Sequence, residues 1–198
     1  MTADSSHVAP RGFDFTFHMR RLCAELCAGL NEFSHVQFER VALRFCQVRN
    51  NSDYGVLATL TPLRFEHGAP IGRRGGQMWT IRRVHDAADR EMLYLLSFYL
   101  PRFLNRPFHD KLSTVIHELW HIGPRFDGDV RRHPGRCYAH GRSAKHYDAS
   151  MAALADKWLA LDPPQEMHAF LQYDFRQLER RYGRVFGQTI PTPRLTRL

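Results

Sequence analysis

The chain has 198 residues, of which 43% are hydrophobic and 24% are charged, and its formal net charge is +8. This length suits one domain with a sizeable core, and this composition excludes a disordered or membrane-embedded chain. The longest apolar stretch, residues 92–100, is too short to span a bilayer, and no basic segment followed by an apolar run begins the chain. We therefore expect a single-domain cytoplasmic protein with no membrane partner.

The positive charge is carried almost entirely by arginine, because only three of the 28 lysine and arginine residues are lysines. A basic surface attracts nucleic acid or acidic partners. A GC-rich genome produces the same preference for arginine, and the sequence contains no recognisable nucleic-acid-binding motif. A nucleic-acid partner is therefore compatible with the composition but is not favoured by it.

The first element predicted along the chain is a helix over residues 16–31, where apolar residues recur at helical spacing. Cys23 and Cys27 lie four residues apart on this helix, so they are expected to share its buried face. The four cysteines of the chain form no CxxC pair, which predicts free thiols.

Two strands are predicted next, over residues 35–49 and 56–66. Apolar residues alternate in both segments, and the polar stretch 50–55 between them is typical of a turn. These features together predict an antiparallel hairpin.

A glycine-rich loop over residues 67–76 is followed by two further predicted strands, over 77–84 and 91–101. The second of these is rich in aromatic and branched residues, and its continuous apolar character is also compatible with a helix. We predict a fold of the α+β class, with a small and mostly antiparallel sheet.

The clearest helix is predicted over residues 105–122. Asn105 is a suitable N-cap and Pro107 fits the first turn, whereas Gly123 ends the helix and Pro124 prevents its continuation. This is the helix that carries the histidine motif described below.

A long loop is predicted over residues 123–142, and loops of this length in compact domains are often functional. Helices are predicted after it over 144–161 and 166–187. Residues 1–14 and 188–198 are expected to be flexible arms of one domain that spans residues 1–198.

His117, Glu118 and His121 form an HExxH motif. Residues four apart lie one turn apart on the same helix face, so the imidazoles of His117 and His121 can converge on one metal ion. Glu118 is offset by about 100° and can reach the open side of the metal without binding it. This is the pattern of zinc hydrolases, in which zinc activates a water molecule and the glutamate takes its proton.

The segment "VIHELWHI" after a series of strands resembles the zincin metallopeptidases, in particular the compact bacterial and phage members. The resemblance covers about residues 112–148 in detail and residues 35–101 in architecture alone. It implies a zincin-like α+β fold and a Zn²⁺ cofactor. It also implies that the substrate is a protein or peptide that lies as an added strand along the sheet edge. Residues 91–101 are the candidate for that edge strand; if they form it, the choice of substrate would depend little on its sequence and mainly on the walls of the cleft.

His140 is the favoured third zinc ligand. The pair His140–Gly141, followed by Met151, is similar to the arrangement in SprT/Spartan-like metalloproteases, where a histidine enters the site from the start of the next helix. Gly141 would let the backbone approach the metal closely.

Two alternatives to His140 remain open, namely His146 and then Asp127. His146 lies in the first turn of the predicted helix 144–161, and some zincins place a ligand six residues after the second histidine, where this chain has Asp127. The glycine that precedes that ligand in those families is shifted here by one position, to Gly123.

Several other side chains are candidates for supporting roles in the site. A carboxylate usually orients a zinc-binding imidazole, and Asp127, Asp129 and Asp148 are available for this role. Tyr138 and Tyr147 are candidates for stabilising the oxyanion. The sequence does not choose among them.

The function that the sequence favours is a zinc-dependent metallopeptidase that hydrolyses peptide bonds by a zinc-bound water activated by Glu118. Two alternatives are a DNA-associated SprT-like protease and a non-catalytic, zinc-stabilised binding or regulatory protein. The glutamate at position 118 favours catalysis, because a purely structural site needs no general base. The sequence does not indicate an oligomeric state.

Overall fold

The computed structural model of the protein describes residues 11–49, 55–132 and 144–198, with side chains from residue 148 onward in the last of these ranges. This part of the chain folds as a single α+β domain. It contains five α-helices: α1 (Phe15–Gly29), α2 (Phe108–Trp120), α3 (Ala144–Leu159), α4 (Gln165–His168) and α5 (Phe175–Tyr182). It contains eight strands: β1 (Phe13–Asp14), β2 (Val41–Gln47), β3 (Ala58–Pro62), β4 (Ile71–Arg74), β5 (Gln77–Ile81), β6 (Tyr94–Leu100), β7 (Val185–Phe186) and β8 (Leu195–Arg197).

The central sheet has the strand order β2–β6–β3. β2 is parallel to β6, and β3 is antiparallel to it. The predicted hairpin between the segments 35–49 and 56–66 is therefore wrong, although both segments contain a strand. The cause is β6, whose sequence is apolar on both faces and nearly completely buried, so that it takes the central position between two chain neighbours.

A second, smaller sheet with the order β4–β5–β8 was not predicted from the sequence. β4 lies within the segment 67–76, which was predicted as a loop. Gly75 and Gly76 form the two-residue connection to β5, with φ angles of 54° and 77°. Positive φ at both central positions is the requirement of a type I′ hairpin turn, which glycine meets without strain.

Both terminal segments contribute short strands to the described structure. Phe13 and Asp14 of β1 pair with β7, and residues 195–197 pair with β5. Between these strands, the backbone carbonyl of Gln188 accepts a hydrogen bond from the N–H of Phe45 in β2 at 2.8 Å. The segment 188–198, for which a flexible arm was expected, runs along the central sheet to the smaller one.

The predicted helix 16–31 is confirmed as α1. Its N-cap is Asp14, whose carboxylate accepts a hydrogen bond from the backbone N–H of Phe17 at 3.0 Å. The inner face of α1 packs on the central sheet, and Cys23 and Cys27 are buried there as free thiols, as predicted. Burial raises the pKa of the Cys27 thiol to about 12, so this thiol is unreactive.

Helix α2 begins later than predicted. Pro107 occupies the N-cap position without a side-chain cap, so the prediction that Asn105 caps this helix is wrong. Asn105 instead accepts a hydrogen bond from the backbone N–H of Phe175, the first residue of α5, at 3.2 Å. The inner face of α2 is fully buried, through Leu112, Val115, Ile116 and Leu119.

The single helix predicted over residues 166–187 is divided in the structure into α4, a 3-10 turn and α5. Asp174 caps α5 in a reciprocal capping box with Gln177, and each side chain accepts a backbone hydrogen bond at 2.7 Å. This local alternative to a continuous helix explains the break. None of the helices in the described ranges has the length and apolar character that crossing a membrane requires.

Candidate active site

His117 and His121 lie one turn apart on the outer face of α2. Their ring centroids are 4.7 Å apart, with an angle of 77° between the ring planes. His121 follows the last residue of the helix, but its φ and ψ of −66° and −15° continue the helical path. The sequence prediction that these two imidazoles share one face is confirmed.

The side chain of Glu118 lies against β3 of the central sheet. Only 8% of this residue is exposed, and the backbone of Leu60 in β3 donates a hydrogen bond to its carboxylate. Burial raises the pKa of Glu118 to about 7, and the hydrogen bond from Leu60 opposes this rise. The site therefore combines two neighbouring imidazoles on α2 with a buried carboxylate that is bonded to the backbone of β3.

A cavity of about 430 Å³ opens beside His117 and Glu118. One wall is the outer face of α2 from Asp110 to His117. The opposite walls come from the start of β3 and from α3. The lining residues are Val56, Leu57, Ala58, Arg106, Asp110, Ser113, Thr114, His117, Glu118, Asp148 and Met151. The cavity gives a ligand access to both the imidazole and the carboxylate.

The edge strand beside this cavity is β3. The Leu57 carbonyl accepts from the N–H of Tyr99 in β6 at 2.9 Å, and the Leu63 N–H donates to the carbonyl of Leu93, directly before β6, at 3.0 Å. Because hydrogen-bonding direction alternates along an antiparallel strand, Ala58 and Leu60 direct their backbone groups to the other edge, toward α2. In the described residues no strand pairs with that outer edge.

The expectation that residues 91–101 form the edge strand is wrong, because β6 is central. The sequence contains signals that favour the observed order. β6 is apolar without alternation, which is typical of a strand buried on both faces. β3 ends in Pro62, and proline within sheets is confined mainly to edge strands because it lacks a donor for the ladder.

The chain folds back on the end of α2 directly after His121. Ile122 and Val130 form an antiparallel bridge, and the N–H of Arg131 donates to the carbonyl of His121 at 2.7 Å. The Arg131 guanidinium lies 4.2 Å from the ring centroid of Trp120 and donates to the Trp120 carbonyl at 2.8 Å. These contacts fix the backbone that carries His121.

Asp127 lies in a different cavity from His117 and Glu118, together with His67 and Asp129. Its carboxylate accepts hydrogen bonds from Arg125 at 2.9 Å and from the backbone N–H of Asp129 at 3.2 Å. Of the three candidates for the third ligand, His140 lies outside the described residues, and so does the side chain of His146.

The candidates for supporting roles separate in the structure. The Asp129 carboxylate is paired with Arg132 at 2.9 and 3.0 Å and accepts from the backbone N–H of His67 at 3.0 Å. It therefore fastens the loop after α2 to the loop before β4. Asp148 instead lines the cavity with His117 and Glu118. Tyr138 and the side chain of Tyr147 lie outside the described residues.

The donor set of α2 fits zinc, which is commonly bound by imidazole nitrogens. His117 and His121 would supply two of the three protein ligands that a catalytic zinc site needs. Within residues 11–49, 55–132 and 148–198, no three histidine, cysteine, aspartate or glutamate side chains are grouped to hold a metal ion. A third ligand to His117 and His121 would therefore lie outside these ranges, as do the side chains of the candidates His140 and His146.

Sequence reasoning did not identify the contribution of β3 to the site. The backbone donor of Leu60 and the lining residues Val56, Leu57 and Ala58 belong to a segment that was assigned to a hairpin. The reason is that the backbone edge that faces α2 depends on the pairing of β3 with β6, which is distant in sequence. Beyond these features of the chain itself, no model of a known protein family matches it, and neither a curated protein nor a solved structure shows significant similarity to it.

Proposed function

We propose that this protein is a zinc-dependent metallopeptidase with a zincin-like fold. One observation carries the proposal. The imidazoles of His117 and His121 share one face of α2, and the intervening Glu118 is buried against an edge strand and borders the open cavity that His117 also lines. A structural zinc site has no use for such a cavity or for a carboxylate held apart from the ligands.

The metal would be held by His117, His121 and a third side chain, for which the segment that contains His140 and His146 is the favoured source. His140 remains the preferred third ligand, with His146 next. Asp127 is the least favoured of the three, because its carboxylate already has two partners and lies in another cavity. When bound, Zn²⁺ supplies the Lewis acid that polarises the peptide carbonyl and lowers the pKa of water.

Glu118 would act as the proton carrier of the reaction. Its carboxylate borders the cavity and is fixed by the hydrogen bond from Leu60, so its position does not depend on the substrate. A general base of this kind accepts a proton from the attacking water and delivers it to the leaving amine.

The substrate would be a polypeptide in extended conformation. The outer edge of β3 presents the backbone groups of Ala58 and the carbonyl of Leu60 next to the cavity, and an added strand could pair with them. Main-chain pairing of this type recognises peptides with little dependence on their sequence. Selectivity would then come from the cavity wall formed by Arg106, Asp110 and Asp148.

The experiment that tests this function is cleavage of a diverse peptide mixture by the zinc-loaded, full-length protein, with new termini identified by mass spectrometry. We expect cleavage by the wild type, its loss on treatment with a chelator, and its return on addition of zinc. Cleavage should be absent for Glu118→Gln. No cleavage by zinc-loaded wild type would contradict the proposal and favour the non-catalytic, zinc-stabilised alternative.

A further inference from the structure

A further cavity, the distal cavity, lies at the end of β3 that is remote from Glu118. Its volume is about 510 Å³. Three parts of the molecule form its walls, namely β3 through Thr61 and Pro62, the loop after α2 through Val130, and the small sheet through Ile81 and Leu195. Ala58 lines the first cavity and Pro62 lines the distal one, so about 13 Å of the same edge strand connects the two cavities.

The two faces of β3 are directed to different parts of the molecule. Leu60 lies opposite Leu96 of β6, and both pack in the main core with the inner face of α2. Thr61 lies opposite Leu95, which belongs to a separate buried cluster. Ile81 of the small sheet packs against that cluster. Leu60 is therefore on the α2 face of the central sheet, and Thr61 is on the face that the small sheet covers.

This alternation determines where the side chains of an added strand would lie. Residues that stand side by side on neighbouring strands direct their side chains to the same face of the sheet. In a peptide paired with the outer edge of β3, the residue beside Leu60 would face α2 and Glu118. The next residue, beside Thr61, would face the small sheet, where the distal cavity lies. The two cavities would thus receive neighbouring residues of one peptide.

The charged side chains of the distal cavity are largely paired with one another. The ion pairs that involve lining residues are Arg64–Glu91, Arg132–Asp129 and Arg132–Glu66. In the described ranges, Arg74 on the exposed strand β4 is the charged lining residue that has no carboxylate partner. The remaining surface is mostly apolar and is formed by Pro62, Phe65, Ile81, Val130, Pro193 and Leu195. The cavity therefore suits an apolar side chain.

Contacts outside the distal cavity hold its walls in place. Gly72 of β4 packs so closely against the ring of Phe65 that an added Cβ would lie 2.1 Å from it, so the small sheet is seated on the turn after β3. The N–H of Arg64 donates to the carbonyl of Gly128 at 3.1 Å, which fastens the loop after α2 to the same turn. A cavity whose walls are already fixed can discriminate among side chains.

We propose that the distal cavity binds a large apolar side chain of the peptide substrate, such as that of leucine, methionine or phenylalanine. This inference rests on the proposed function and adds a specificity determinant that main-chain pairing lacks. The selected residue would be the sequence neighbour of the residue beside Leu60 and Glu118. It would therefore lie within two residues of the cleaved bond. The small sheet would be the part of the molecule that selects substrates by this side chain.

The test begins with the cleavage sites that the zinc-loaded, full-length protein produces in a diverse peptide mixture. Large apolar residues should be enriched at one position within two residues of the cleaved bond. A peptide with leucine at this position is then compared with its glycine analogue. One methylene in an apolar pocket changes kcat/KM by about tenfold or more, so leucine should be preferred by at least about tenfold.

The variant Leu195→Lys places an ammonium group in the distal cavity. It should reduce the preference for leucine to about threefold or less and should favour aspartate or glutamate at the same position. Leu195→Met keeps an apolar wall and should retain the preference. The matched control is Met78→Lys, because Met78 and Leu195 are similarly exposed, at 45% and 42%. Leu195 pairs with Ile81, three residues from Met78, so Met78 lies on the other face of the small sheet.

Three results would overturn the inference while cleavage itself still supports the proposed function. These are the absence of an apolar position within two residues of the cleaved bond, an unchanged preference in Leu195→Lys, and an equal loss of preference in Met78→Lys. Absence of any cleavage by the wild type would overturn the inference and the proposed function together. The two kinds of failure are therefore distinguishable.

Discussion

The backbone of Leu60 and the side chain of Glu118 are joined by a hydrogen bond, which connects the edge strand β3 to the helix α2. The general base proposed for the site is therefore positioned by the strand that would also receive the substrate. Docking of a peptide along β3 and the placement of the proton acceptor share one structural element. This connection leads to the first two predictions.

Replacing Glu118 by glutamine is expected to abolish hydrolysis, with a loss of at least about a hundredfold. The amide keeps the size of the side chain and an oxygen that can accept the hydrogen bond from Leu60, but it cannot take a proton. Zinc content and the thermal unfolding transition should remain those of the wild type, and Glu179→Gln on the exposed side of α5 should be fully active. Loss of zinc from Glu118→Gln would mean that Glu118 is a ligand.

Replacing Leu60 by proline should reduce peptidase activity while the fold is kept. The N–H of Leu60 faces α2 and not β6, so proline removes the donor to Glu118 without breaking the sheet ladder. The neighbouring substitution Thr61→Pro should instead lower the free energy of unfolding strongly, because the N–H of Thr61 faces β6. Activity measurements and urea denaturation of both variants distinguish these effects. Wild-type activity in Leu60→Pro would show that the hydrogen bond from β3 to Glu118 does not contribute to catalysis.

The third zinc ligand is predicted to be His140. Without it, two imidazoles and water remain around the metal, so His140→Ala should lose zinc affinity strongly. His146→Ala should lose about 10- to 100-fold, which is typical of residues that support a ligand without binding the metal. Asp127→Ala should leave affinity nearly unchanged, because this carboxylate faces another cavity. Zinc titration against a competing chelator measures all three, and a greater loss in His146→Ala would reverse the assignment.

Lys111 is predicted to make the free energy of unfolding depend on pH. The residue is 2% exposed, and its ammonium group donates to the carbonyls of Leu104 and Tyr173, each at 2.9 Å. Burial lowers the pKa of Lys111 to about 8. The unfolded chain therefore holds this proton up to a higher pH than the folded protein does. The contribution of Lys111 to stability should rise as pH increases from about 8 toward 10.4.

The measurement compares urea denaturation of the wild type and of Lys111→Met between pH 7 and pH 10. The stability of the wild type relative to the variant should increase by about 1–3 kcal/mol over this range. Lys157→Met, at an exposed ion pair with Glu32, serves as the control and should show no such trend. A difference that stays constant with pH would show that Lys111 has an ordinary pKa.

The parts of the site that depend on local geometry could be predicted from the sequence. The spacing of His117 and His121 is read directly from helical periodicity, and the spacing of Leu112, Val115, Ile116 and Leu119 predicts the buried face of α2. The helix α1 follows from the same kind of signal. These elements need no knowledge of distant contacts.

The strand order could not be predicted in the same way, because it depends on pairing between segments that are far apart in sequence. β2 pairs with β6, about fifty residues later in the chain. The sequential neighbours β2 and β3 do not pair with each other. Helix caps that depend on distant contacts could not be predicted for the same reason. Asn105 has the chemistry of a cap for α2, but its partner in the fold is the start of α5.

Zinc content of the purified protein tests the central claim most directly. Chelator-free wild type should carry about one equivalent of zinc by mass spectrometry of the metal, as expected of a single catalytic site. His117→Ala and His121→Ala should each lose it, whereas His109→Ala, an exposed histidine on the same helix, should keep it. Wild-type protein that contains no zinc and takes up none on addition would contradict the account.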